Sequence, residues 1–365
     1  MDVRLNRAEF LTELLPMQGI VERRTTIPVL SHLLLTARGE TLHLAATDLD
    51  VSLTSSCPAE VKREGGIAVQ AKKFTEIIRA LVGEEVRLVL EDPQALVVTA
   101  GSSRFKIHGL QPQDFPTLPD VSQGAAVEIP FAQFRRMVAK IIFAVSSEES
   151  RFQLNGALLK MKPKTMEIVA TDGHRLALVE GALAGGKEEQ SVLVPRKALQ
   201  ELQRFEGDGA LAFRRGEHHL SFRLGRRELV CRILDGTFPD YERVIAKDND
   251  KKVVFDRRVL ADAVQRVALL TGDRARAVRL QFGGDALVVS AANPDLGEAT
   301  ESIACQYAGA EIKLGINPDY LAQFLQAVDT EKVRLELKDE NTQCIGFPVD
   351  GQDQRYLCVI MPMRV

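Results

Sequence analysis

Apolar positions along the chain fall into short runs separated by turn-rich breaks, and the runs recur in a fixed order three times. LSHLLLTAR (30–38), LNGALLKMK (154–162) and AVRLQF (277–282) read as strands. Each leads to a second strand, a turn and a third strand: LHLAATDLDVSLTSS from Leu42, MEIVATDGHRLALVEG from Met166, LVVSAANPDLGEATES from Leu287. Each is followed by a strand-then-helix phrase: AVQAKKFTEIIRAL, SVLVPRKALQELQRF and EIKLGINPDYLAQFLQAV. A further strand-helix phrase opens every copy: VRLNRAEFLTELL, VEIPFAQFRRMVAKIIFAV and VVFDRRVLADAVQRVALL. The repeat length of roughly 120 residues lies far above the ~20–50 of stacking repeats, so each copy is a domain. Two helices per copy are too few to cover both faces of a parallel sheet. The pattern predicts an α+β fold of three tandem similar domains, helices on one side and antiparallel sheets on the other.

The breaks LPDVSQGAA (118–126) and AKDNDKK (246–252) lack apolar periodicity and read as solvated connectors. They set expected domains at 1–123, 124–248 and 249–365. In the helix from Phe131, a stripe of Phe134, Met137, Val138, Ile141 and Ile142 predicts the core face, with Arg136 and Lys140 opposite. In the helix from Arg257, Leu260, Ala263, Val264 and Val267 form the core stripe, whereas Leu269 points about 180° away from Leu260.

Charge adds a second pattern. The net charge of −3 argues against a generic polyanion binder. It is nevertheless uneven: Lys and Arg number 13 against 16 acidic residues in 1–123, 20 against 17 in 124–248, and 14 against 17 in 249–365. Helices open on basic pairs, Lys72–Lys73, Arg196–Lys197 and Arg257–Arg258, although a cation there opposes the helix dipole. A shared basic helix face built from Lys72, Lys73, Arg136, Lys140, Arg196 and Lys197 would suit the phosphates of duplex DNA. No recognition-helix or aromatic RNA signature accompanies it. Five scattered cysteines without CxxC spacing read as reduced, buried thiols of a cytoplasmic protein. The charged N-terminal stretch has no signal-peptide core, and no apolar run approaches the ~20 residues that span a bilayer.

Catalytic motifs are not convincing. TDGHR (171–175) gathers Asp172, His174 and Arg175, but the equivalent copies read TDLD (47–50) and ANPD (292–295), so the segment is first a turn of a repeated scaffold. A metal-dependent phosphoesterase using the TDLD and TDGH carboxylates is the alternative reading, and it lacks further ligands nearby. GALAGGKE (181–188) fits GxxxxGK but continues with Glu188 and a strand, where a phosphate loop needs Ser or Thr and a helix. No cofactor, metal or catalytic group is expected. The C-terminal YLCVIMPMRV ends on methionines, whose pliable thioethers suit an adaptable binding surface.

TIPVLSHLLL (26–35), TDGHRLA (171–177), VPRKAL (194–199), DGTFPDYERVI (235–245) and the terminal MPMR (361–364) carry a resemblance over essentially the whole chain. The chain resembles the bacterial DNA polymerase III beta subunits, the sliding clamps. That resemblance implies a head-to-tail homodimeric ring of six domains, with helices lining a central hole. Such a ring encircles double-stranded DNA without sequence preference. It also implies a clamp loader, the replicative polymerase, and other polymerases and repair proteins that carry a short clamp-binding peptide. The peptide groove would comprise Leu154, Thr171, Gly173, His174, Arg175, Leu176, Pro239, Arg243, Val244, Asn317, Tyr320, Val359, Ile360, Met361, Pro362, Met363 and Arg364. Leu176 and Val244 would form its floor, and His174, Arg175 and Arg243 its polar rim. DNA contacts would come from Arg24, from Arg151 and Phe152 in the 148–153 loop, and from Arg196 and Lys197. The subunit seam would bring Leu269, Leu270, Glu298 and Glu301 against Arg104, Phe105 and Ile107, with Arg104 paired to Glu298 or Glu301. This chain departs from the family at Ala275, where a bulky aromatic is expected, at Val365 in place of leucine, and at Glu148 and Glu149 in the DNA loop.

Overall fold

The computed structural model describes residues 1–22, 26–121, 125–148, 150–184, 189–272, 276–351 and 353–364. Arg24, Glu149, Ala275 and Val365 therefore lie outside the described residues. The first repeat runs β1 (Asp2–Asn6), α1 (Arg7–Ile20), β2 (His32–Arg38), β3 (Thr41–Thr47), β4 (Val51–Pro58), β5 (Glu60–Arg63), β6 (Gly65–Gln70), α2 (Ala71–Ala80), β7 (Glu85–Asp92), β8 (Ala95–Ala100) and β9 (Ser103–Leu110). The second runs β10 (Val127–Pro130), α3 (Phe131–Ile141), β11 (Gly156–Met161), β12 (Thr165–Thr171), β13 (Arg175–Ala182), β14 (Gln190–Pro195), α4 (Arg196–Gln203), β15 (Ala210–Arg215), β16 (His219–Leu224) and β17 (Arg227–Arg232). The third runs β18 (Lys251–Asp256), α5 (Arg257–Ala268), β19 (Val278–Gly283), β20 (Ala286–Asn293), β21 (Gly297–Ala304), β22 (Ile312–Ile316), α6 (Pro318–Ala327), β23 (Lys332–Leu337), β24 (Cys344–Pro348) and β25 (Arg355–Ile360). The ladders between them are antiparallel, as an α+β fold of this composition requires.

Local chemistry accounts for the element ends. Asn6, Asp256 and Asn317 cap α1, α5 and α6 by accepting hydrogen bonds from the first free helix amides. Period-two burial runs through β2, where Leu33, Leu35 and Ala37 are buried; of the expected α3 stripe Phe134, Met137, Val138 and Ile141 are buried, whereas Ile142, just past the helix end, is half-buried. Each such Leu, Ile or Phe contributes on the order of 1.5–3 kcal/mol when removed from water. All five cysteines are buried and free, and burial pushes the Cys57 and Cys344 thiols up to about 12. The second connector is less solvated than expected. Asn249 is buried and donates to Glu336 O and Gln343 O, and Lys251 already belongs to β18. No helix among the described residues is long and apolar enough to cross a membrane.

The chain divides into two compact units. Met1–Ala132 with Lys197–Ile233 contain a 13-stranded sheet ordered β10-β15-β16-β17-β4-β3-β2-β6-β9-β8-β7-β1-β5. Gln133–Arg196 with Leu234–Val365 contain an eight-stranded sheet, β14-β11-β12-β13-β25-β24-β23-β18, and a four-stranded sheet, β21-β20-β19-β22. In each unit one ladder joins two repeats: β4 pairs with β17, and β13 with β25. These two seams use equivalent strands.

Candidate functional site

The TDGHR segment is a hydrogen-bonded turn that all three repeats build alike. Asp172 Oδ1 accepts from the amides of His174 and Arg175, Asp48 Oδ1 from Asp50 and Val51, and Asn293 Oδ1 from Asp295 and Leu296. Thr171 and Thr47 reinforce it by accepting from Gly173 N and Leu49 N. Asp48 and Asp172, two of the three carboxylates that could suggest metal chemistry, are thus engaged in turn geometry. Position 173 favours glycine because its φ is +90°; the Arg151 guanidinium, 2.6 Å from where a Cβ would stand, is the movable end of a flexible side chain.

Against this turn the second unit opens an apolar cavity of about 200 Å³. Its lining comprises Leu154, Thr171, Gly173, Arg175, Leu176, Pro239, Tyr241, Val244, Val359 and Met361. Nine of the groove residues expected from sequence meet there, together with Tyr241, which sequence reasoning missed although it lies inside the FPDY phrase. The floor is rigid, because Leu176 and Val359 face each other across the β13·β25 ladder and both are buried.

Arg175 does not form a polar rim. Its side chain is 9% exposed, its Nε donates to Asp172 Oδ2 at 3.0 Å, and its terminal nitrogens donate to Gln323 Oε1 and Phe143 O. Its guanidinium lies 4.3 Å from the Tyr320 ring centroid and 5.2 Å from that of Phe143. A guanidinium so engaged braces the wall and has little left to offer a ligand. His174 is exposed and stacks on Tyr320 at 6.4 Å, Arg243 is exposed and paired to Asp240, and Asn317 is occupied as the α6 cap. Ile360 turns into the core opposite Arg175 and Cys344.

The tail is anchored at two points. Met361 N donates to His174 O at 2.9 Å, and Met363 N to Gly315 O at 2.8 Å. Met361 consequently stands between the apolar cavity and a wider polar one of about 600 Å³. The second cavity is lined by Pro362, Met363 and Arg364, with Lys313, Glu340 and Asn341. Glu340 and Asn341 were not legible because they lie in an irregular connection without a periodic signal.

The basic helix positions divide. Lys140 does not lie on the expected basic face: its side chain is 2% exposed, with Nζ 2.8 Å from Asp329 and 2.5 Å from the equally buried Asp353, and 5.0 Å from the Tyr356 ring centroid. It neutralises a buried carboxylate and presents no charge to DNA. Arg136 is half-exposed and pairs with Asp353. Lys197 donates to Ile20 O at the end of α1 and to Asp48, and Arg196 to Val145 O. Arg257, at the start of α5, donates to Leu325 O and Thr330 O at the end of α6. Cations stand at these helix starts because they satisfy the carbonyl ends of neighbouring helices. Lys72 and Lys73 are exposed, Lys73 bridging Glu76, and Phe152 is 69% exposed beside Arg151.

At the expected seam Leu269 is 78% exposed, Leu270 half-buried and Phe105 39% exposed. Within the chain Arg104 and Lys106 both pair with Glu91, and Glu301 accepts two bonds from Arg266.

Three repeats of strand, helix and antiparallel meander, with a tail-walled apolar cavity, define a protein of the clamp class. Family models for the DNA polymerase III beta subunit match its N-terminal domain at residues 1–119, its central domain at 128–240 and its C-terminal domain at 242–364. The chain belongs to the DNA polymerase III beta subunit family, the beta sliding clamps. It is 37% identical to the beta sliding clamp of Pseudomonas putida and 33% identical to that of Escherichia coli K12, covering 100% of each chain in both comparisons. The sliding clamp of Pseudomonas aeruginosa, solved bound to griselimycin, superposes with a TM-score of 0.94 at 36% identity over 100% of both chains.

Proposed function

We propose that two copies of this chain close into a ring around duplex DNA, and that the ring is a non-catalytic processivity factor in the cytoplasm. Residues 1–123, 124–248 and 249–365 are its three domains. It tethers the replicative polymerase, and other polymerases and repair proteins, by short peptides docked in the Met361 cavity, and a clamp loader places it on DNA. One observation carries this reading: two of three equivalent seams are closed within the chain, and the strands that would make the third have free edges.

The register of that third seam follows from the repeats. Asp48, Asp172 and Asn293 are equivalent turn residues, so the cross-strand partners of the preceding Thr47, Thr171 and Ala292 are equivalent too: Ser52, Leu176 and Glu298. The two-residue turns after Ala100 and Leu224 likewise align Lys106 with Val230. Since Ser52 opposes Val230 in the β4·β17 seam, Glu298 opposes Lys106 of a second copy. Phe105 then faces Ala299 and Ile107 faces Gly297, large against small, while β21 and residues 103–107 of β9 each present a free edge. Opposed charges and complementary sizes favour one antiparallel register.

Leu269→Asp with Leu270→Asp is expected to give a folded monomer in sedimentation at low micromolar concentration. Glu298→Lys is expected to weaken the dimer, and Lys106→Glu in the same chain to restore it. A stable double-Asp dimer, or a charge swap without recovery, rejects the seam.

Encirclement itself is tested by topology. The protein loaded on nicked circular DNA is expected to remain through gel filtration and to leave when the circle is linearised. Equal loss from both forms rejects a ring. Sliding requires weak, unspecific phosphate contacts, which suits exposed Lys72 and Lys73, and a half-buried Arg151 that also holds Asp172 O and Glu148, better than a dense basic surface.

A further inference from the structure

We propose that Tyr241 and Glu167 are positioning residues of the peptide cavity: the phenol, fastened to a buried carboxylate, fixes the 239–244 wall relative to the Leu176–Val359 floor. The inference rests on reading that cavity as the partner-peptide site. Residues 235–246 cross the face of β12, β13 and β25, where Phe238 and Tyr241 pack on a cluster that includes Val169, Leu176, Leu178, Leu357 and Val359. Apolar packing alone would let such an irregular strap slide, because dispersion has no direction.

The same face supplies a directional anchor at its polar end. Lys160, Glu167, Glu180 and Arg355 stand in direct register across β11, β12, β13 and β25 and so form one row. Tyr241 Oη donates to Glu167, which is 4% exposed, and Arg355 donates to Glu242 at 3.2 Å. Two successive strap residues are therefore tied to two members of the row. Gln343 adds a third tie, donating to Val244 O at 2.6 Å. Tyr241 also meets Phe238 edge-on at 6.3 Å, which orients its ring as cavity lining. Burial, and then the bond to Glu167, push the phenol's ionisation above its ordinary range, so it stays a donor through neutral pH.

A charge-assisted bond of this kind has a direction and a length that the wall inherits. Without it the wall can relax outward, and a peptide must then order the wall on binding, which weakens affinity. The test is titration of a fluorescein-labelled C-terminal peptide of the cognate replicative polymerase against full-length variants, with thermal midpoints measured alongside. Tyr241→Phe and Glu167→Leu are expected to lower affinity by about tenfold, whereas Glu167→Gln, which keeps an acceptor oxygen, stays within about twofold of wild type. Val244→Arg fills the cavity mouth and is the control for the site itself. If Val244→Arg abolishes binding while Tyr241→Phe binds as wild type, the positioning role is wrong and the cavity stands. If Val244→Arg binds as wild type, the peptide-cavity reading is wrong. Affinity losses that merely track the thermal midpoint, with Glu167→Gln as weak as Glu167→Leu, also overturn the proposal.

Discussion

Deleting residues 361–365 is expected to leave the protein folded while partner-peptide affinity falls by ~2 kcal/mol or more, roughly 30-fold. The deletion spares β25, whose ladders to β13 and β24 end at Ile360. It removes Met361, which borders both cavities, and the Met363 N–H that fastens the tail to Gly315 O. An anchor pocket open along one side no longer excludes water from a bound side chain, and that exclusion is what concentrates binding energy in a few residues. Titrating a labelled polymerase C-terminal peptide against full-length and shortened protein measures the effect. Equal affinities would mean that the groove lies elsewhere.

Lys140→Ala is expected to cost about 3–5 kcal/mol of stability, because it leaves the buried Asp353 carboxylate short of a counter-charge. Asp329, 40% exposed, can recover water on losing its partner, but Asp353, 2% exposed, cannot. The variant Lys140→Met with Asp353→Leu is expected to regain most of the loss, since a matched apolar pair carries no desolvation penalty. Urea unfolding followed by circular dichroism reads both. A loss below ~1 kcal/mol in Lys140→Ala would show that water reaches the cluster.

Lys140 also marks where sequence reasoning stops. The helical period put its Cα on the outer side of the α3 stripe, but whether that side meets solvent depends on Asp329 and Asp353, 189 and 213 residues further on. The same limit hid why cations open several helices, since Arg257 and Lys197 answer carbonyls on other helices. What was legible is what local rules determine. The three-fold phrase gave the repeat, alternating apolar residues gave the hairpins, and identical Asx turns explained the apparent catalytic motif. Leu269 was recognisable as an outlier because its own helix defined the core side. Tyr241 was overlooked because a lone aromatic in a loop has no period, and its partner Glu167 lies on a strand 74 residues upstream.

The buried thiols have a practical consequence for covalent chemistry. At neutral pH the ionised fraction of a thiol with a pKa near 12 is negligible, and Cys57 and Cys344 are in that state while Cys231 and Cys358 are shifted further still. Those four thiols are therefore slow toward maleimides and mild oxidants in the folded chain, whereas Cys305, also raised by burial but the least covered of the five, is the one to block or replace first. Once Cys305 is replaced, a pair of surface cysteines introduced on β9 and β21 would meet little competition from native sulfur, and a disulfide between two copies would report the proposed seam directly.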